Sequence, residues 1–400
     1  MNRNKLPRWE KVLQRTFPPF AETTSGYFEF HGFSIGPMDW IREREILIKY
    51  QNPQMYMIQD PAAYYITNIK SLLNKAHPNF EKAIDKINSD VYKGVRVSPG
   101  KTLKDLQKLN ELHLYLYGVM LIAFDVLIDI GSKIDKTIKN NDLDFPLYLA
   151  TPIKKTGIQR EKEAMSAARI NITKSKLNRL VADFGYIHQD YLGQPWGVKD
   201  YQKACKDKII LKSNKSKSYN ISQYSPNEQY LIRIFRKFIY MYEEGRNAMV
   251  RACWSMKETL KTLGYDPDKM LYMTRTEVEL FSQNKGPYIS DRLLRKRKEA
   301  FAIYFEAGKY YEFTGNQEVR RFIKSQKIEH FWNQKIKSEI TLKGSIAYKG
   351  KVKGRVRLVF TQTDANRVQR GEIFIAPMTQ VEFLSGLRKC GAIVTDEGGG

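Results

Sequence analysis

The feature that most constrains this chain is a change of period near residue 340. Before it, apolar residues recur at helical spacing; after it, they alternate with polar ones between regular glycines. GSIAYKGKVKGRVRLVF carries Gly344, Gly350 and Gly354 and reads as short strands joined by tight turns. GEIFIAP is a further strand, QVEFLSGLRKC a short helix, and GAIVTDE a strand whose Ala392, Ile393 and Val394 are expected to be buried. Strand, helix, strand in that order predicts a βαβ unit with a right-handed crossover. The chain is therefore expected to be α+β and multi-domain. A large, mostly helical domain over residues 1–338 precedes the start of an α/β domain over residues 339–400.

The helical reading rests on local signals. Thr102 is placed to cap TLKDLQKLNELHLYLYG, with Asp105 three residues on in the manner of a capping box. In NEQYLIRIFRKFIYMYEEGRNAMVRACWSMKETLKTLG, Leu231, Ile234, Phe235, Phe238 and Ile239 form one stripe, and Gly264 followed by Pro267 stops the helix. Further helices are expected over Asp291 to Glu312 and Glu318 to Lys324. KSNKSKSY, residues 212–219, is a polar, basic loop that divides the helical part into two lobes. No repeat of fixed period is present.

Composition narrows the class of protein. Of 400 residues, 42 % are hydrophobic and 12 % aromatic, which excludes a disordered polymer. Sixty-seven basic against 43 acidic residues give a net charge of +24, a surface that attracts anions. Residues 339–400 carry ten basic and six acidic residues, so most of that charge belongs to the helical part. Cys205, Cys253 and Cys390 are odd in number and far apart, which argues for a reducing, cytoplasmic setting. The histidines are equally scattered, and no metal site is expected. The N-terminus lacks a signal-peptide core, and the apolar run Leu112–Gly131 reads as a buried helix, not a membrane span.

The stretch from Lys343 on resembles the phosphohistidine (swivelling, mobile) domain of the phosphoenolpyruvate-utilising enzymes. The blocks GSIAYKGKVKGRVRLV, RGEIFIAPMT and LRKCGAIVTDEGG carry the resemblance, in the family's order and spacing. The family signature is T-x-x-G-G, two residues, Ser or Cys, then His; Thr395, Gly398 and Gly399 fill its first half. One departure is visible: Met378-Thr379 is followed by Gln380-Val381, where a proline is usual one residue on. Weaker similarity to the helical region of phosphoenolpyruvate synthase-like and rifampicin phosphotransferase-like proteins lies in PRWEKVLQR, FGYIHQDYLGQPWGVKDY and YMTRTEVELF with ISDRLLRKRKEAF.

The resemblance implies a swivelling β/β/α domain, truncated at its C-terminus, and a transferase of phosphorus-containing groups. Its nucleophilic histidine falls three residues beyond Gly400, so no catalytic residue is present and the chain as given is inactive. Neutral imidazole is a good nucleophile near neutral pH, and a glycine turn at a helix N-terminus holds the charge of the phosphorylated form. Thr395, Gly398, Gly399 and Gly400 form the phosphate loop on this reading. No ATP-grasp domain fits in the chain. The family implies ATP or phosphoenolpyruvate with Mg on a separate domain or protein, none bound here, and a small-molecule phosphoryl acceptor.

Competing signals are weaker. GVRVSPGKT has five residues between its glycines where a P-loop has four, and Pro99 removes a backbone donor. Asp125 and Asp129, one turn apart, are expected to face solvent or a cation. Phe184, Tyr186, His188, Tyr191 and Trp196 either line a pocket, with Tyr186, His188 and Trp196 as its candidate residues, or form an aromatic mini-core. Arg292, Arg295, Lys296, Arg297 and Lys298 run around their helix as a solvated face does, which disfavours a nucleic-acid interface. The alternative function is a non-catalytic basic helical protein that binds a polyanion or docks a partner protein.

Overall fold

The computed structural model describes residues 69–138, 144–188, 195–206, 219–306, 309–331, 350–360, 362–376, 379 and 383–395, and six short strands between residues 10 and 66. The loop expected at 212–219 lies outside the described residues except for Tyr219, and so does the boundary at 338–339. The protein is mostly helical with small sheets, an α+β architecture. It divides into two compact units: Phe20–Arg42 with Tyr64–Ile289, and Met1–Pro19 and Glu43–Ala63 with Ser290–Gly400.

The six N-terminal strands are β1 (Glu10–Arg15), β2 (Phe33–Ile35), β3 (Met38–Arg42), β4 (Arg44–Lys49), β5 (Met55–Gln59) and β6 (Tyr64–Ile66). They were not among the elements expected within the mostly helical residues 1–338. Segments such as REILIK and YYI are rich in β-branched and aromatic residues and too short for a stable helix. β2, β3 and β6 form an antiparallel sheet in order β2-β3-β6 within the first unit.

The body of that unit is helical: α1 (Pro78–Gly94), α2 (Leu103–Thr137), α3 (Gly157–Arg169), α4 (Lys174–Phe184), α5 (Val198–Lys206) and α6 (Pro226–Thr262). α2 starts where the sequence signals it. The Asp105 N–H donates to Thr102 Oγ1 and the Thr102 N–H to Asp105 Oδ2, both at 3.1 Å. Ser225 and Glu228 cap α6 in the same way, with Pro226 at its first turn. α6 ends before Gly264, whose φ of +83° suits glycine, and the Tyr265 N–H reaches back to the Leu260 carbonyl at 2.9 Å.

α2 and α6 pack along each other. Ile234, Phe238, Met241, Ala248, Ala252, Met256 and Leu260 recur at three-, four- and seven-residue spacing, on one face of the helix, and are fully buried. Each large side chain so removed from water contributes about 1.5–3 kcal/mol. α2 runs for 35 residues and is long and apolar enough to cross a membrane by length and composition. Here Leu116, Val119, Ile122, Val126 and Ile130 are buried in the packed unit, while Phe124 and Ile128 on the opposite side are exposed.

In the other unit α7 (Asp291–Glu299) is followed by β7 (Phe301–Glu306) and β8 (Lys309–Thr314). The helix expected to run to Glu312 therefore stops at Glu299. FAIYFE is almost wholly apolar, so it carries no period of its own, and its pairing with β4 selects the strand. The sheet runs β1-β5-β4-β7-β8, antiparallel throughout. α8 (Asn316–Ser325) packs Val319, Phe322 and Ile323 against Ala300 and Ala302. Arg297 departs from the expected solvated run: it is 2 % exposed and grips Glu312 with both Nε and Nη2, at 2.7 and 2.9 Å.

The C-terminal stretch of this unit is the βαβ pattern read from sequence. β9 (Val356–Leu358), α9 (Gln362–Asn366), β10 (Ile373–Ala376), α10 (Leu384–Leu387) and β11 (Ala392–Thr395) give a parallel sheet in order β9-β10-β11. Phe374, Phe383, Val359, Val368 and Ala365 form its core. Ile393 and Val394, expected to be buried, are 50 % and 47 % exposed. Among the described strands β11 lies at one edge of this sheet, and the core residues gather around Phe374 on β10.

Candidate functional site

Of the phosphate-loop residues, Thr395 is described. It closes β11 opposite Ala376, at the carboxyl end of a parallel sheet, where ligands of α/β folds gather. Gly398, Gly399 and Gly400 lie outside the described residues. The sheet is held by Arg357 on β9, which grips Glu372 through Nε and Nη2 at 3.0 and 2.8 Å. That bond, with the Gln369 N–H, holds the Glu372 carboxyl down to about 2. Gly354 admits no side chain, because a Cβ there would stand 2.4 Å from the Gly371 carbonyl oxygen.

Of the candidate pocket residues, His188 and Trp196 come together in the helical unit, while the Tyr186 ring lies under the Arg251 guanidinium; Tyr191 lies outside the described residues. A 3-10 turn, Gly185–His188, follows α4, and the Trp196 N–H returns to the Gly185 carbonyl at 3.0 Å. The indole stacks on the His188 imidazole with centroids 3.6 Å apart and planes 10° apart, and Tyr201 meets the indole edge-on at 5.4 Å. Beneath them Glu161 of α3 is 3 % exposed. Its Oε1 accepts from the Tyr201 hydroxyl and pairs with His188 Nε2, each at 2.5 Å. Burial, reinforced by Glu161, pushes the Tyr201 phenol far above its ordinary value. Trp196 and Phe184 also pack on the Met165, Leu177 and Leu180 cluster, so these rings meet each other and that cluster.

One residue before Glu161, Arg160 faces the opposite partner, α6. Glu244 there is fully buried and takes three donors: the Gly157 N–H at 2.6 Å, Arg160 Nη2 at 2.5 Å and Asn247 Nδ2 at 3.2 Å. The carboxylate thus sits at the N-terminus of α3, where the helix dipole favours an anion. Burial works against the Arg160 charge, but the bond to Glu244 outweighs it and its pKa is raised. Beside this pair opens a cleft of about 400 Å³. α1 supplies Asn88, Ser89 and Tyr92 to it, the approach to α3 supplies Lys154 and Lys155, and Arg160 and Tyr240 complete the lining. None of these residues carries a sequence motif; charge and burial, not spacing, mark them out.

In the loop resembling a P-loop, the Gly100 N–H donates to Thr259 Oγ1 at 2.8 Å and the Val97 carbonyl accepts from Arg251 Nε at 2.9 Å. Asp129 is exposed and Asp125 half-buried. Among the described residues no group of three or more His, Cys, Asp or Glu is placed to hold a metal ion. His77 accepts the Phe80 N–H at the start of α1. His113 is buried, and that burial, with Arg275 nearby, holds its pKa down at about 3. His31 lies outside the described residues.

No family model matches the chain. Over 115 residues it is 30 % identical to a probable phosphoenolpyruvate synthase of Archaeoglobus fulgidus, covering 28 % of this chain and 15 % of that protein. Over 62 residues it is 37 % identical to the phosphoenolpyruvate synthase of Pyrococcus furiosus, 16 % of this chain and 8 % of the relative. These partial identities support a relation to the phosphoenolpyruvate-utilising enzymes. An uncharacterized protein of Mycobacterium tuberculosis is 26 % identical over 166 residues, 39 % of this chain and 18 % of its own length. The chain thus matches less than a fifth of the length of each of these relatives.

Proposed function

We propose that this protein belongs to a phosphoryl-relay system of the phosphoenolpyruvate-utilising type. The carrier is a histidine that, by the family's spacing, falls three residues beyond Gly400. Thr395, Gly398, Gly399 and Gly400 shape the phosphate loop around it. The observation that carries this reading is the parallel β9-β10-β11 sheet with Thr395 closing its last strand, in a chain with partial identity to phosphoenolpyruvate synthases. ATP or phosphoenolpyruvate with Mg acts on a separate domain or an ATP-grasp protein, and the helical unit receives the small-molecule acceptor. Cys205, Cys253 and Cys390, odd in number and far apart in the sequence, suit a cytoplasmic protein.

Reading the gene past Gly400 is the first test. Ser-His or Cys-His at the family's spacing supports the relay. That longer protein, incubated with phosphoenolpyruvate or with ATP and a partner, then gains a phosphate on histidine, stable to base and lost in acid. A stop codon, or another residue where the histidine belongs, removes the nucleophile and ends the relay reading. The net charge of +24 favours a second reading, a non-catalytic binder of a polyanion or partner protein. Its mark is affinity for nucleic acid that falls steeply with salt.

A further inference from the structure

We propose that the cleft between α1 and the start of α3 binds a small phosphate monoester that also carries a hydroxyl group. The inference rests on the cleft alone and needs no phosphohistidine. About 400 Å³ lies in the range of small-ligand sites.

The cleft brings together groups that suit a phosphate. Arg160 is fixed before any ligand arrives: Glu244 holds its Nη2, and the Lys155 carbonyl takes its Nη1 at 2.7 Å. A guanidinium held on two sides loses little side-chain freedom when it meets an anion. Tyr240 is 1 % exposed, and burial, with Glu244 nearby, pushes its phenol up to about 12. It therefore stays protonated and remains a neutral donor. Lys154 has no carboxylate partner among the described residues. Lys155 pairs with Glu163 at 2.7 Å, but the two side chains are 66 % and 51 % exposed, and such surface pairs separate at little cost.

Charge balance sets the ligand class. Glu244 already compensates Arg160, so the surplus is Lys154, joined by Lys155 once it leaves Glu163. Two free positive charges match the dianion of a phosphate monoester better than a single carboxylate. Asn88 supplies the second requirement. It is 3 % exposed and gives its Nδ2 to the Lys237 carbonyl at 3.3 Å, while its Oδ1 has no hydrogen-bond partner. A buried acceptor without a donor is costly, and a slight turn of the amide toward a ligand hydroxyl removes that cost. The cations cluster within residues 154–160 and do not track along a surface, which fits a small molecule and not a nucleic-acid backbone.

The test is calorimetric titration of the full chain with glycerol phosphate, with inorganic phosphate, and with a single-stranded oligonucleotide. The comparison protein is the Lys154→Ala/Lys155→Ala double variant. Both lysines are exposed, so the variant folds with an unchanged melting temperature. We expect one saturable site for glycerol phosphate, tighter than for inorganic phosphate, and about tenfold weaker in the double variant. Equal affinity for the two phosphates overturns the hydroxyl part. No saturable binding by about 10 mM, or the same affinity in the double variant, overturns the site. Tight binding of the oligonucleotide alone overturns it in favour of a polyanion surface. None of these outcomes bears on the histidine relay, which is read by acid-labile phosphate.

Discussion

Replacing Glu244 by alanine tests whether the buried carboxylate organises the start of α3. Its three donors are the Gly157 N–H, Arg160 and Asn247, and the carboxylate itself is fully buried. Without it, two neutral donors lose their acceptor and Arg160 loses its counter-ion. Orphaned buried donors cost about 1–3 kcal/mol each, and breaking a buried ion pair about 3–5 kcal/mol. These do not add in full: the Arg160 side chain is 28 % exposed and turns to water, and the Asn247 amide can rotate. The expected net loss is about 3–4 kcal/mol. For a unit of this size that lowers the melting midpoint by roughly 6–16 °C. Urea unfolding of Glu244→Ala, Arg160→Met and the double variant measures it. A coupling of at least about 1 kcal/mol between the two sites is expected. A loss under about 1 kcal/mol, or additivity within about 0.5 kcal/mol, refutes the reasoning.

Three further outcomes follow from close approaches and one ion pair. In Gly185→Ala the new Cβ meets the Trp196 carbonyl oxygen at 2.6 Å, so a loss of about 1–3 kcal/mol should accompany a shifted Trp196 emission as its stack on His188 loosens. Unchanged emission would count against it. Gly354→Ala, 2.4 Å from the Gly371 carbonyl oxygen, should unfold the parallel sheet at about 1–3 kcal/mol less, while protection of α6 amides from hydrogen exchange stays the same. Glu372 is held at about 2 against an ordinary 4.5, so its contribution is present above 4.5 and is lost as pH falls toward 2. Arg357→Met should flatten the rise of stability between those values, and a profile parallel to the parent's would show that Arg357 is not the cause.

What was legible in the sequence was what is decided locally. Thr102 with Asp105 names the start of α2, because a capping box closes within four residues. Gly264 names the end of α6 because one backbone angle suits glycine. The β10-α10-β11 unit was legible because alternation, turn glycines and a short helix all fall within two dozen residues. β7 was not. FAIYFE is apolar at five of six positions and fits a helix or a strand equally, and β4, its partner, lies some 250 residues earlier in the chain. Arg297 shows the same limit for charge. Nothing in DRLLRKRKE separates it from its neighbours, and it turns inward because β8 brings Glu312 to it.

The candidate site follows this rule more strictly. Arg160 and Glu244 are two of 110 charged residues, and they lie 84 positions apart. They become a unit only when α3 docks on α6, since that docking removes Glu244 from water and leaves Gly157, Arg160 and Asn247 to satisfy it. The same docking turns Glu161, the next residue of α3, toward His188 and Tyr201. Consecutive residues on a helix point about 100° apart, so one helix serves two partners. Glu161 ties α3 to the aromatic turn, and Arg160 faces the cleft. Disturbing Glu244 should therefore alter anion binding through Arg160 while leaving the His188–Trp196 stack in place, whereas Gly185→Ala should do the reverse.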